Sequence, residues 1–178
     1  MDFFRAVKER RSIRSFSDEP VPRATVARLL EAAAMAPSAG NVQPWHFYVV
    51  EDSNLKRELA RAALNQLWLA RAPVVIVICA DLARAQRTYG ERGRTLYAFQ
   101  DTAAATQNIL LGAAALGLAA CWVGAFNERM VAGVLKIHDT ALLPVAMVPV
   151  GHAAGKVPGT PSRRAVEDIV TIITEGGS

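Results

Sequence analysis

Residues 36–50, APSAGNVQPWHFYVV, pass from a helix end through a bend into a strand. Pro37 cannot continue a helix, and Gly40 lets the backbone turn where other residues are strained. From Trp45 onward, aromatic and β-branched side chains predict a strand, with Trp45 packing its start. A helix-ending turn accounts for Pro37 and Gly40 by themselves. Asn41 and Gln43 add side-chain amides, which either satisfy the loop's own backbone or face a ligand.

Working outward, Ala24 to Met35 sets Val26, Leu29, Leu30 and Ala33 at helical spacing, and Pro37 stops that helix. The N-terminal FFRAVKERR predicts a short helix turning Phe3, Val7 and Phe4 to a core. Ser53 is the expected N-cap of a helix reaching about Leu69, with Leu55, Leu59 and Ala62 on one face. After Pro73, VVIVICAD lacks polar alternation, which predicts a strand buried on both sheet faces.

Residues 83–98 form the most polar stretch. They read either as a segment over a ligand site, with Tyr89, Arg92, Arg94 or Tyr97 at the entry, or as a solvated connection. A long helix follows from Asp101 to about Leu118, and LAACWVGAF returns to a strand and a glycine turn. Asn127 caps a helix with Val131, Val134 and Leu135 on one face. LLPVAMVPVG supplies another strand, its prolines near the ends. The tail, GKVPGTP then SRRAVEDIVTIITE, is an arm that either closes this domain or crosses to a neighbour. The expectation is a mixed α/β chain, one domain over residues 1–178, with three or four strands and a central apolar helix.

Composition narrows the function classes. The chain is 52% hydrophobic and 20% charged, and its alanine-rich helix faces raise the expectation of a partner subunit. Sixteen of the twenty basic residues are arginine, and the net charge of +4 is spread without a basic run interleaved by aromatics. That pattern counts against a nucleic-acid surface and suits a small anionic ligand. Cys79 and Cys121 lack metal-ligand spacing and read as core residues in a reducing compartment. His46, His138 and His152 are too dispersed to suggest a metal. The charged N-terminus does not read as a secretory signal, and no stretch reaches the ~20 apolar residues of a membrane span. A cytoplasmic, non-membrane protein is expected. The glycines of GAAALGLAACWVG lack dinucleotide-fold spacing, so any redox role needs another basis.

Four stretches, taken in order, supply it. The arginine and serine cluster near residue 10, PSAGNVQPW, GLAACWVGAF and SRRAVED together resemble the nitroreductase-like, FMN-dependent flavoprotein family. The resemblance covers nearly the whole chain. It implies an α+β, three-layer α/β/α fold with a central, mostly antiparallel sheet, a long buried helix and an obligate homodimer. It further implies FMN at the subunit interface, reduced by NADH or NADPH and reoxidised by a nitro compound, quinone or other small planar acceptor in ping-pong fashion.

The resemblance also assigns residues. Arg10 and Arg14, with Arg163 from the arm, are implied at the FMN phosphate, where guanidinium forks suit the oxygens, and Ser12 adds a neutral hydrogen bond. Arg11 and Arg164 are their neighbours, and at least one arginine of each adjacent pair is expected to lie outside. Pro37, Ser38, Ala39, Asn41 and Gln43 are implied at the ring, Asn65 and Gln66 as polar contacts near it. Gly124 and Ala125 are implied to bring backbone amides to the ring nitrogen that exchanges hydride. The flavin carries the electronic step, so no side chain is assigned as catalytic. Specialised chemistry such as enone reduction or reductive dehalogenation is the enzyme alternative. An FMN-binding redox sensor without turnover is the other.

Overall fold

The computed structural model describes residues 1–173. Among these residues the α-helices and strands follow in the order α1 (Phe3–Glu9), α2 (Arg23–Ala34), β1 (Trp45–Val50), α3 (Ser53–Ala62), β2 (Val74–Asp81), α4 (Leu82–Arg92), α5 (Ala98–Ala115), β3 (Ala119–Ala120), α6 (Glu128–Val134) and β4 (Leu142–Gly151). The strands form one antiparallel sheet in the order β1-β2-β4-β3.

Every residue of β2 from Val74 to Ala80 is buried, as its unbroken apolar run predicts. Successive side chains point to opposite faces, so the strand feeds two cores. Val74, Ile76 and Ile78 meet Val26, Leu29 and Ala33 of α2 and Ile109, Leu110 and Ala113 of α5. Val75, Val77 and Cys79 meet Leu59, Leu69 and Val131 on the opposite face. The result is the three-layer α/β/α arrangement. Cys79 and Cys121 are buried free thiols, and burial pushes the Cys79 thiol up to about 12. Pro144 lies opposite Cys79, where the β2–β4 register shifts. A residue without an N–H is tolerated at such an irregularity.

The long helix is buried on its sheet-facing side, and three of its polar side chains are satisfied there. Thr102 Oγ1 donates to Ala98 O at 2.7 Å and Thr106 Oγ1 to Thr102 O at 2.7 Å. Asn108 Nδ2 donates to Ala32 O at 2.8 Å and ties α5 to α2. As expected, Asn127 caps α6, its side chain accepting from Met130 N at 3.0 Å.

Four expectations are corrected. Helix α1 forms, but Phe3, Phe4 and Val7 are exposed and Ala6 alone is buried, because the helix lies on α5 through its small face. Asp52, not Ser53, caps α3, its carboxylate accepting from the amides of Asn54 and Leu55. That helix ends at Ala62 rather than near Leu69, because Leu64 and Asn65 take left-handed φ values of 56° and 60°. Helix α5 begins at Ala98 rather than Asp101, because a π turn at Gly93–Tyr97 leads into it from α4, whose backbone leaves helical values at Tyr89 and Gly90.

A buried lysine closes the second core. Lys56 is 7% exposed, and its ammonium donates to Ala72 O at 2.8 Å and Pro73 O at 2.9 Å. Burial lowers its pKa against the pull of Asp52 and Glu51. The contact fastens the short 3-10 helix Leu67–Arg71 to α3 and to the start of β2. Lys56→Met keeps the aliphatic stem and removes the donor. It should destabilise the protein by about 1–3 kcal/mol in denaturant unfolding, the cost of unsatisfied acceptors. A change under about 0.5 kcal/mol would show that water replaces the ammonium.

Candidate functional site

The predicted residues gather in two places. The first lies along β3. Ile13 N donates to Ala120 O at 3.0 Å, and Ser12 bridges Ala120 in parallel register, so the Arg10–Arg14 segment runs beside the strand. This brings Arg10, Ser12 and Arg14 around Cys121. Burial raises that thiol's pKa, while the charge of Arg14, the Ser12 hydrogen bond and the charge of Arg10 pull it down. Arg14 is exposed, its guanidinium 5.8 Å from the centroid of Trp68, which stacks on Phe16.

Two further predicted stretches join this half. Gln66 Nε2 donates to Ala125 O at 3.2 Å, linking the end of α3 to the glycine turn. Asn65 is exposed and serves as a left-handed helix stop. Gly124 is exposed too. A methyl group there would stand 3.6 Å from Trp122 Nε1, an ordinary contact, so the chain's own packing does not demand glycine. Of the remaining arginines, Arg11 is engaged with the backbone, donating to Lys8 O at 2.6 Å and Arg10 O at 2.8 Å, and also to Thr160 Oγ1. Arg163 and Arg164 are exposed on the arm. Their hydrogen bonds run to Ser162 O and Asp168 O within it.

The second place is the loop before β1. Pro37 follows α2, and Ser38 Oγ accepts from Gln43 N at 3.0 Å, closing the bend. Gly40, Asn41 and Gln43 all take left-handed φ, at 54°, 55° and 53°. Gln43 Nε2 donates to Asn41 Oδ1 at 3.1 Å, so these two exposed side chains are paired with one another.

Two side chains not anticipated from sequence, Asp101 and Arg84, hold this loop together with the anticipated Tyr89. Ala39 N donates to Asp101 Oδ1 at 3.2 Å, and Arg84 Nε donates to Val42 O at 2.6 Å. Tyr89 lies against Gly40, where an added Cβ would come within 2.3 Å of its hydroxyl. Tyr89 in turn meets Tyr97 edge-on at 5.3 Å, and Arg92 Nε donates to the Tyr97 hydroxyl at 2.8 Å. Pro37, Ser38, Ala39, Tyr97, Gln100 and Asp101 line a depression of about 350 Å³. The stretch 83–98 therefore packs on the loop. A lone acid inside an apolar helix was the sequence signal that could have pointed to Asp101.

One chain does not unite the two places. The first borders β3 and the second precedes β1, the opposite edges of the sheet. Three interstrand steps separate those edges, roughly 14 Å. Among the described residues, no group of three or more His, Cys, Asp or Glu side chains is placed to hold a metal ion, and no helix is long and apolar enough to cross a membrane.

Gly40→Ala tests the loop's packing. The substitution must hold a left-handed φ, which costs about 1–2 kcal/mol, and must displace Tyr89. Denaturant unfolding should show a loss at least that large, and Gly40→Ala with Tyr89→Ala should recover the clash but not the backbone cost. A neutral single variant would show that the loop is not held as described.

Comparison with known proteins identifies the family. A model of the nitroreductase family matches residues 7–70 and 61–152. An NADH dehydrogenase of Thermus thermophilus is 33% identical over 191 aligned residues, covering 92% of each chain. An FMN reductase (NADPH) of Bacillus subtilis is 32% identical over 86% of this chain and 68% of its own. The structure of the NfrA1 nitroreductase from B. subtilis superimposes with a TM-score of 0.86 at 28% identity, over 96% of this chain and 73% of that one. With its sheet order, its long buried helix and the match over most of its length, this chain belongs to the nitroreductase family.

Proposed function

We propose that this chain is an FMN-dependent oxidoreductase, a single FMN-binding domain over residues 1–178 that works as a homodimer. It takes reducing equivalents from NADH or NADPH and passes them to nitroaromatic, quinone or related small acceptors. Membership of the nitroreductase family carries the general activity. The observation that supports the site is the gathering of Arg10, Ser12 and Arg14 around Cys121, three residues before an exposed Gly124.

The donor set fits FMN. A phosphate needs convergent cations and hydrogen-bond donors, which Arg10, Arg14 and Ser12 supply from one extended segment. A planar ring needs a surface without protruding side chains, which Gly124 and Ala125 supply. When bound, FMN supplies a ring that accepts hydride from reduced nicotinamide and yields two electrons to an acceptor. The protein's part is to anchor the phosphate, present backbone amides at 124 and 125, and keep one ring face open to successive planar substrates. Gln66, committed to Ala125 O, holds that turn in place.

The separation of the two halves supports a dimer. The Ser38–Gln43 loop of one chain completes the Arg10–Gly124 half of the other in this reading. Exposed apolar side chains supply the contact surface: Phe3 at 62%, Phe4 at 80% and Met35 at 82% exposure. The arm beyond Gly155 exposes Val166, Ile169, Val170, Ile172 and Ile173, which crosses to the partner and carries Arg163 and Arg164 with it. The end of SRRAVEDIVTIITE lies outside the described residues.

The deciding experiment is the visible spectrum of the purified protein under anaerobic conditions. An oxidised-flavin spectrum should be bleached by NADH or NADPH and restored by a quinone, with parallel initial-rate lines in steady state. Flavin that binds but is not bleached would favour a redox sensor. Arg10→Glu should weaken FMN binding roughly tenfold or more, and unchanged affinity would remove Arg10 from the phosphate. Sedimentation should give a dimer, and a monomer with full flavin occupancy would contradict the shared site.

A further inference from the structure

We infer that Asp101 is a positioning residue for the Ser38–Gln43 loop: rooted in α5, its carboxylate holds the Ala39 amide and so fixes the shape the loop offers to a ligand. The inference rests on the proposed role of that loop at FMN. Asp101 is 7% exposed, and its only hydrogen bond among the described residues reaches across 62 positions to Ala39 N. Its Oδ2 is buried without a partner among those residues. Burial raises the carboxyl's pKa, and the Ala39 hydrogen bond lowers it.

The usual reasons for an acid at this point of a helix do not apply. Aspartate near a helix start serves unsatisfied amides and the helix dipole. Here α4 runs through the π turn into α5, and Tyr97 and Ala98 already have helical φ/ψ of −65°/−39° and −56°/−38°. There is no free helix start to serve. Nor does Asp101 take part in an ion pair among the described residues. A buried carboxylate with one unpartnered oxygen is a cost to folding. What it does accomplish is confined to the loop.

The loop needs such a hold. Three of its residues, Gly40, Asn41 and Gln43, occupy left-handed backbone conformations, two of them without the freedom of glycine. The α4–α5 unit grips the loop at consecutive points: Asp101 at Ala39, Tyr89 at Gly40 and Arg84 at Val42. Tyr89 and Arg84 act from α4 and Asp101 from α5, with the break at Tyr89–Gly90 and the π turn lying between Arg84 and Asp101. A loop held before its ligand arrives loses less entropy on binding.

Two substitutions test this. Asp101→Leu removes the acceptor and the unpartnered oxygen together. Asp101→Asn keeps a side-chain carbonyl within reach of Ala39. In the cofactor-free protein, Asp101→Leu should speed hydrogen exchange at the Ala39 amide roughly tenfold or more, while the melting temperature stays level or rises. Its FMN affinity, read from quenching of flavin fluorescence, should fall by about the same factor. Asp101→Asn should restore exchange and affinity to within about threefold. Unchanged Ala39 exchange in the leucine variant would overturn the inference. So would a drop in melting temperature shared by both variants, which marks a merely structural residue. If the unsubstituted protein takes up no FMN, the flavin reading fails by itself, and exchange at Ala39 still decides whether Asp101 holds the loop.

Discussion

With Val74 to Ala80 buried throughout, β2 must be covered on both faces at once, and that requirement places almost everything else. Each fully buried valine or isoleucine contributes roughly 1.5–3 kcal/mol relative to exposure. One face takes Leu29 of α2 and Ile109 of α5, and the other takes Leu59 of α3 and Val131 of α6. The sheet's faces are thereby used up by packing. Chemistry is left to its edges and to the segments that border them.

Both candidate half-sites are edge features. Beside β3, a strand of two residues, the Arg10–Arg14 segment pairs through Ser12 and Ile13 and brings alternate side chains around Cys121. Before β1, the Ser38–Gln43 loop turns on left-handed residues that only local anchors can hold. The two edges lie apart within one sheet, and in the proposed dimer a second chain joins them. The exposed phenylalanines of α1 and the isoleucines of the arm are the apolar surface such a chain would cover.

The arginines show how far residue type can be read. Clustering near residue 10 identified a cationic segment, but adjacency in sequence did not say which guanidinium is free. Extended backbone along β3 turns neighbours to opposite sides. Arg11 is engaged with Lys8 O and Arg10 O, while Arg10 and Arg14 face the Cys121 neighbourhood. Asn41 and Gln43 illustrate the converse. Both were legible as loop amides, and their pairing with one another gives them a structural task in addition to any ligand contact.

By itself, the sequence determined the helices α2, α5 and α6, the doubly buried strand, the Asn127 cap, the core character of both cysteines and the ordered series of motifs. These features depend on periodicity, turn chemistry and local side-chain type, which a linear chain displays. Tertiary structure alone decided that Phe3, Phe4 and Val7 stay outside, that α3 stops at Ala62, and that the helical turns of residues 83–98, broken at Tyr89–Gly90, pack on the loop. It also decided that Asp101, Arg84 and Tyr89 grip positions 39 to 42 from far along the chain. Contacts between distant residues leave no periodic trace in sequence, because they depend on how the two faces of the sheet fold the intervening chain back upon itself.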